Sequence, residues 1–139
     1  MKTIFINLSN HPSDKWSEKQ LEAVKELTNN ESIVDIPFPQ IDPEMSSEDV
    51  VTLANEYFYK NILNVIYDVE STDDIPDKIY LHIMGEMCFT YNVVELAKFF
   101  SKRELENITC IASTTKRNVV EKEDGTKISI FEFVQFREY

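Results

Sequence analysis

The sequence predicts an α/β fold with a mostly parallel sheet, helices on both faces and a C-terminal β-hairpin. Three observations support this prediction. Apolar, strand-like runs alternate three times with segments whose apolar residues recur at helical spacing. A fourth strand-like run follows, and Asp124-Gly125 then marks the turn of a hairpin. At 139 residues the chain fits one domain, with residues 1–117 as the alternating core and residues 118–139 as the hairpin.

The first strand is predicted at residues 3–8, a short apolar run rich in β-branched and aromatic side chains. A polar loop over residues 9–14 follows, and its last residues suit the capping of a helix. That helix ends at Asn29-Asn30. Its apolar side chains share one side: Trp16, Leu21, Val24 and Leu27.

The second unit begins with a strand at residues 33–36 and continues through a proline-rich connection over residues 37–43. Ser46 is the predicted cap of the next helix, whose acidic first turn suits the positive end of a helix dipole. This helix is the longest, and residues 71–77 form an acidic turn after it. Its apolar residues recur at helical spacing: Val50, Ala54, Phe58, Ile62, Ile66 and Val69.

The third unit is a strand over Lys78–Met84 and a helix that Gly85-Glu86 opens directly. The fourth strand is predicted at residues 108–112, and the hairpin strands at residues 118–123 and 127–136. Strands that alternate with helices in this way form a parallel sheet covered on both faces. The fold class is therefore a Rossmann-like three-layer sandwich.

The final strand is apolar on both faces. Ile128, Ile130, Val134 and Phe136 alternate along one face, and Phe131 and Phe133 lie on the other. A strand of this kind needs cover on both sides, from the main sheet or from a second subunit. We therefore expect a homodimer.

The charge and composition exclude several classes of partner. A formal net charge of −11 argues against a general binder of duplex DNA or of an anionic membrane. No stretch resembles a signal peptide or approaches the roughly 18 apolar residues of a membrane helix. Cys88 and Cys110 are too few for a metal site or a disulfide framework. We expect a cytoplasmic protein that needs no metal and no cofactor.

The candidate site lies where the loops after the parallel strands meet, because ligands bind outside the carboxyl ends of such strands. The fourth of these loops is the strongest cluster, with hydroxyl groups next to two cations, a combination suited to phosphodiesters. The predicted ligand-binding residues are Ser9, Asn10, Gly85, Glu86, Ser113, Thr114, Thr115 and Arg117, and the predicted catalytic residues are His11 and Lys116.

Several of these residues have a second interpretation. Gly85 either admits a ligand close to a helix N-terminus or serves tight packing. Glu86 either accepts from a ribose hydroxyl or complements the helix dipole, and the dipole role is favoured. His11 is a donor to phosphate, a general acid, or a histidine that orders its own loop. His82 falls inside a strand and is interpreted as a satisfied core histidine.

The sequence motifs do not indicate a common nucleotide-binding loop or a catalytic triad. The chain has no Gly-X-Gly-X-X-Gly fingerprint and no Walker loop, which argues against ordinary dinucleotide or ATP binding. No Ser-His-Asp spacing indicates an acyl-transfer nucleophile, although such triads are recognised in space rather than in sequence.

With Ser113-Thr114-Thr115-Lys116-Arg117 after its fourth strand, in a Rossmann-like element order, the chain resembles the CRISPR-associated Rossmann-fold (CARF-like) domains. It is most similar to their small stand-alone members of the ring-nuclease type. The resemblance covers about the first 117 residues and implies a dimer that binds a cyclic oligoadenylate second messenger in antiviral defence. The motifs of that family often include a glycine in the fourth-strand loop. Here that loop has none, which leaves Gly85 as the alternative place for close backbone approach.

The resemblance also implies a mechanism that needs no metal. A ribose 2′-hydroxyl would attack the neighbouring phosphate, with Lys116 or Arg117 stabilising the developing charge and His11 protonating the leaving oxygen. By the same resemblance, the loop carrying Asn10 and His11 would contact the ligand from the end of the first strand. The residues that would contact the phosphates are Ser113, Thr115, Lys116 and Arg117.

Two alternatives remain open. One is a non-catalytic protein-interaction or nucleotide-sensing module, which would use the aromatic C-terminal strand and the acidic surface. The other is a flavodoxin-like mononucleotide binder.

Overall fold

The computed structural model describes residues 2–29, 32–67, 76–105 and 107–139. A single five-stranded sheet runs through them in the spatial order β2-β1-β3-β4-β5. The first four strands pair in parallel, and β5 pairs antiparallel with β4. The predicted α/β class, mostly parallel sheet and C-terminal hairpin are therefore confirmed. The strands are β1 (Thr3–Ser9), β2 (Val34–Pro37), β3 (Lys78–Met84), β4 (Ile108–Glu121) and β5 (Lys127–Glu138).

Helices connect the parallel strands. The connection between β2 and β3 contains one continuous helical segment over residues 47–66, because α2 passes through a π turn, Phe58–Ile62, into α3. A short 3-10 turn, Ser13–Lys15, precedes α1. The predicted Val69, Asn30 and most of the acidic turn, residues 71–75, lie outside the described residues. The helices are α1 (Glu18–Thr28), α2 (Ser47–Tyr57), α3 (Leu63–Ile66) and α4 (Met87–Phe100).

Each long helix begins at a side chain that accepts from its free N–H groups. Ser17 Oγ accepts from Gln20 N at the start of α1, and Ser46 Oγ accepts from Asp49 N at the start of α2. Glu86 caps α4. These contacts satisfy N–H groups that have no partner inside the helix. The predicted cap at Ser46 is confirmed.

The sheet has a core on each face. The larger core joins Ile6, Leu81 and Cys110 to side chains of α2 and α4. The smaller one joins Phe5 and Ile111 to Trp16 and Val24 at α1. Neighbouring residues of a strand point to opposite faces of the sheet. Phe5 and Ile111, and every second residue from them along their strands, therefore lie on the face that α1 covers. Of the helical apolar stripe predicted for α1, Val24 is buried, whereas Leu21 and Leu27 are exposed.

The prediction that the fourth strand ends at residue 112 is wrong. β4 runs for 14 residues, and Ser113–Arg117 of the sequence motif lie in it as strand rather than as a loop. Pairing with β5 from Ile111 to Glu121 engages the N–H groups of alternate residues in this stretch, because in an antiparallel pair only every second residue directs its N–H to the partner strand. β3 pairs with β4 only as far as Ile111. Beyond that residue, β4 and β5 form a two-stranded extension that we call the ribbon.

A β-bulge changes which side chains of the last strand share a face, so the predicted faces are wrong. Thr114 pairs with Gln135 and Thr115 pairs with Phe133, which leaves Val134 as an extra residue in β5. The extra residue reverses the alternation, so Phe133 and Phe136 lie on the same face, with ring centroids 4.9 Å apart. The expected separation of Phe136 from Phe133 is therefore wrong.

The hairpin turn contains one residue more than predicted. Lys122 N donates to Thr126 O, and Gly125 N donates to Lys122 O, which gives a loop of residues 123–125. Gly125 has a φ of 87°, a left-handed conformation that glycine adopts without a steric penalty. Among the described residues, none of the helices has the length and apolar character needed to cross a membrane.

Candidate functional site

A cavity of about 830 Å³ opens between the start of α1, the carboxyl ends of β1 and β3, and the ribbon. The face of the sheet that carries α1 forms its floor. Its wall residues come from four separate segments of the chain. They are Ser9, Asn10, His11, Lys15, Trp16, Ser17, Lys19, Gln20, His82, Met84, Gly85, Ser113, Thr115, Phe131, Glu132 and Phe133.

The structure brings six of the predicted site residues to this cavity and leaves four away from it. Those that line it are Ser9, Asn10, His11, Gly85, Ser113 and Thr115. Those that do not are Glu86, Thr114, Lys116 and Arg117.

Strand alternation explains two of the four absences. Ser113 and Thr115 point to the cavity side of β4, so Thr114 and Lys116 between and after them point to the opposite face. Lys116 therefore does not share a site with His11 within one chain. Arg117 returns to the cavity side, but its Nε donates to Ser129 Oγ farther along the ribbon, at 3.0 Å.

Glu86 is occupied at the start of α4. Its carboxylate accepts from Phe89 N at 2.7 Å and from Cys88 N at 3.0 Å. The hydrogen bond from Phe89 N is the main reason that the pKa of Glu86 lies below its ordinary value. Glu86 borders a second depression of about 540 Å³, beside Asn10 and the proline-rich connection.

Gly85 serves tight packing as well as the cavity wall. A Cβ added to it would lie 2.2 Å from Cζ of the Phe38 ring. That ring in turn packs edge-on against Phe89, with centroids 5.0 Å apart. Any larger residue at position 85 would therefore have to displace a ring that is itself held in the core.

A hydrogen-bonded row of three side chains crosses the cavity floor on three neighbouring strands. His82, which is only 2% exposed, lies at its centre. Its Nδ1 is 2.9 Å from Asn7 Oδ1, and its Nε2 is 2.7 Å from Ser113 Oγ. The strand register produces this row, because Asn7 pairs with His82 and His82 pairs with Ile111, two residues before Ser113.

The partners of Asn7 determine which nitrogen of His82 carries the proton. Asn7 Nδ2 donates to the His11 carbonyl at 2.9 Å and to Asp35 Oδ1 at 2.8 Å, and both of these groups only accept. The Asn7 oxygen therefore faces His82 and receives the Nδ1 proton. In the neutral imidazole, Nε2 is then the acceptor, and the Ser113 hydroxyl donates to it.

Aromatic rings surround the imidazole and keep it neutral. Trp16 meets it edge-on with centroids 5.0 Å apart, and Phe136 and Phe5 lie at 5.6 and 6.1 Å. Burial among these rings removes water that would solvate the imidazolium, and it lowers the pKa of His82 from 6.5 to about 4. At neutral pH the ring is an acceptor at Nε2.

Two further groups fix the geometry around this row. Gln20 Nε2, from α1, donates to Ser113 Oγ at 3.0 Å. The His11 carbonyl accepts from Asn7 and also from Trp16 Nε1 at 3.0 Å. It is thus the backbone of His11 that orders the loop after β1, while its exposed side chain lines the cavity.

Charged side chains stand at the edge of the cavity. Lys15 and Lys19 contribute positive charge from the turn before α1 and from its first turn. No group of three or more His, Cys, Asp or Glu side chains in the described ranges could hold a metal ion.

The sequence motifs missed Asn7 and Gln20, whereas the interpretation of His82 as a satisfied core histidine is confirmed. The useful signal was the presence of polar residues, Asn7 and His82, inside two otherwise apolar strands. Buried polar groups need partners, so two of them on parallel strands suggest contact with each other. Only the register of β1 against β3 shows that they meet.

Comparison with known proteins gives a family and no individual relative. Neither the curated proteins nor the solved structures contain a match to the chain. A family model matches residues 3–137, which is nearly the whole sequence. The chain therefore belongs to the family described as "Uncharacterized protein MJ1673 family".

Proposed function

We propose that this protein is a cytoplasmic, Rossmann-like three-layer sandwich whose cavity binds a cyclic oligoadenylate second messenger in CRISPR-linked antiviral defence. One observation carries the proposal. Aromatic rings, hydroxyl groups and two lysines line a single cavity of about 830 Å³ at the carboxyl ends of parallel strands.

Each part of that lining suits one part of a nucleotide. Phe131 is 65% exposed and offers a ring face on which a base stacks, an interaction worth about 1–3 kcal/mol per base. Lys15 and Lys19 supply positive charge for a phosphodiester, and Thr115 supplies a hydroxyl donor. Asn10 and the His11 side chain add polar contacts from the loop after β1.

The overall charge of −11 favours a small ligand over a long one. A long nucleic acid would experience the repulsion of the whole surface, whereas a compact ring would interact mainly with the cavity. Duplex DNA and anionic membranes are therefore not part of this proposal.

The position of Lys116 limits what is proposed about cleavage. Since Lys116 faces away from the cavity, cleavage by a 2′-hydroxyl would need Lys15 or Lys19 to stabilise the phosphate in its place. His11 remains the candidate to protonate the leaving oxygen. Binding is the primary proposal, and metal-independent cleavage is its extension.

The ribbon supports a homodimer. β5 is an edge strand of the sheet, and apolar side chains are exposed along the ribbon. Such an edge favours pairing with a second copy. The exposed residues are Val119, Val120, Ile128, Ile130, Phe131 and Val134.

Calorimetric titration of the purified protein with cyclic tetra- and hexa-adenylate, without metal, tests the proposal. We expect micromolar or tighter binding to one of the rings, and a tenfold or greater loss for Lys15→Ala combined with Lys19→Ala. Phe131→Ala should weaken binding as well. Lys60→Ala, which changes an exposed lysine outside the cavity lining, is the matched control. Failure of both rings to bind would refute the proposal.

Liquid chromatography with mass spectrometry of the same mixtures tests cleavage separately from binding. Linear products with cyclic phosphate ends would show cleavage, and unchanged rings would leave a binding protein. Light scattering of the free protein measures the oligomeric state, where a monomer at all concentrations would contradict the dimer.

The same exposed ribbon favours a second candidate function, a module that binds another protein. In that case Val120→Lys on the ribbon would abolish the protein contact and leave nucleotide binding in the cavity unchanged, because Val120 points to the opposite face from Thr115.

A further inference from the structure

We propose that Ser113 is a nucleophile that His82 activates, forming an acyl-transfer centre for a carboxylic ester with an apolar or aromatic group. This inference does not depend on the binding of an oligonucleotide. It rests on the row Ser113–His82–Asn7, in which the Ser113 oxygen is 2.7 Å from His82 Nε2 and His82 Nδ1 is 2.9 Å from the Asn7 oxygen. A nucleophile, a base and a group that orients the base are the three parts of a catalytic triad.

The direction of the hydrogen bonds suits this role. Because Asn7 donates to the His11 carbonyl and to Asp35, its oxygen receives the Nδ1 proton of His82. The unprotonated Nε2 is thus aimed at the Ser113 hydroxyl and is ready to take its proton. A serine with a purely structural role needs only one hydrogen-bond partner, which can be a donor or an acceptor. Here the Ser113 hydroxyl donates its proton to a base, His82 Nε2.

Ser113 is also open to a substrate. It is half-buried and lines the cavity, while His82 lies beneath it and is shielded from water. Phe131 and Phe133 from the ribbon provide an apolar wall beside the hydroxyl for the acyl or alcohol group of an ester. The cavity therefore supplies both the reacting group and a surface to hold the rest of the substrate.

The reaction that follows is balanced without any redox partner. Ser113 Oγ forms a bond to the carbonyl carbon, its proton moves to His82 Nε2, and the carbonyl electron pair moves to oxygen. The bond to the leaving alcohol oxygen then breaks, and that oxygen takes the proton from His82. Water repeats the two steps on the acyl-serine, releasing the carboxylic acid and restoring the Ser113 hydroxyl. Gln20 Nε2 donates to Ser113 Oγ at 3.0 Å and so holds the attacking oxygen in place.

Asn7 is a positioning residue in this scheme, and its chemistry predicts a distinctive variant. A neutral amide orients the imidazole but stabilises the imidazolium less than a carboxylate does. Asn7→Leu removes this orientation, because no acceptor then holds the Nδ1 proton and Nε2 is no longer fixed as the unprotonated nitrogen that faces Ser113. The reactivity of a serine that only fills space would not depend on that acceptor.

Labelling with a fluorophosphonate probe, followed by peptide mass spectrometry, tests the proposal on the folded, full-length protein. We expect a single label at Ser113, no label in Ser113→Ala, and normal labelling in Ser129→Ala, which removes an exposed serine from the paired strand. Hydrolysis of p-nitrophenyl esters should fall at least 100-fold in kcat for Ser113→Ala.

Asn7→Leu should label more slowly than the wild-type chain and lower kcat with little change in KM, because Nε2 is then no longer held unprotonated against Ser113. An unlabelled wild-type protein, a label on another residue, or labelling that survives Ser113→Ala would overturn the proposal. Since Ser113→Ala removes only one oxygen, its circular dichroism and thermal melting serve to show that the fold is retained. Titration with cyclic oligoadenylates is measured separately, so either idea can fail without the other.

Discussion

The Asn7 amide nitrogen lies 2.8 Å from Asp35 Oδ1, a bond between two residues that pair directly across β1 and β2. The same carboxylate accepts from Ser13, through Oγ at 2.7 Å and through N at 3.1 Å. Asp35 therefore joins the edge strand to the turn before α1. It also sets the direction in which the Asn7 oxygen points, and through it the proton position on His82.

Asp35→Ala should lower the free energy of unfolding by about 1–3 kcal/mol, because the buried Asn7 amide loses an acceptor and Ser13 loses two bonds. Urea denaturation at neutral pH measures the loss. Asp14→Ala, at an exposed acid in the same turn, should change stability by less than about 0.5 kcal/mol. Equal losses in the two variants would contradict the assigned role of Asp35.

Acid should destabilise the protein through His82. The pKa of His82 is about 4 in the folded chain and 6.5 without the fold, so between these pH values the unfolded chain binds a proton that the folded chain does not. Stability should therefore fall as the pH drops from about 7 to about 4, by about 3 kcal/mol from this residue.

Urea denaturation at both pH values checks this dependence. His82→Gln should lose this part of the decline, while His11→Gln, which changes an exposed histidine, should retain it. An unchanged decline in His82→Gln would show that other groups cause it.

Gly85→Ala should destabilise the fold by about 1–3 kcal/mol, because its methyl group would overlap the Phe38 ring. The loss should be partly recovered when Phe38→Leu is added, since the smaller side chain leaves room for the methyl group. Thermal or urea unfolding of both single variants and the double variant gives the coupling energy. Additive losses would mean that the two residues do not compete for the same space.

The two cysteines should react very differently with iodoacetamide. Cys88 is exposed, whereas Cys110 is buried in the larger core. Burial also raises the pKa of the Cys110 thiol to about 12, so the reactive thiolate is scarce at neutral pH. Mass spectrometry of the native protein should show one label, at Cys88, and a second only after urea is added. Rapid native labelling of Cys110 would contradict the packing of β4.

The residues that were predicted well carry their own local signal. The bounds of β3 and the cap at Ser46 follow from a mostly apolar run and from a polar residue before an acidic turn. The extent of β4 depends instead on its pairing with β5, so its hydroxyls and cations looked like a loop. A bulge at Val134 inverts the pattern of the last strand, and no local propensity marks it. The contact of His82 with Ser113 depends on the register of separate strands.

The bulge makes a direct prediction about two phenylalanines of β5. Phe133 is 7% exposed and packs against Phe136, while Phe131 is 65% exposed on the same face of the ribbon. Phe133→Ala should cost about 3 kcal/mol or more, since it removes a buried ring that packs against Phe136, which in turn contacts Phe5 and Trp16. Phe131→Ala should change stability by less than about 1 kcal/mol, because its ring is already mostly in water. Urea midpoints at several protein concentrations compare the two and remove any contribution from association. Similar losses at both positions would show that the ribbon packs differently beyond the bulge.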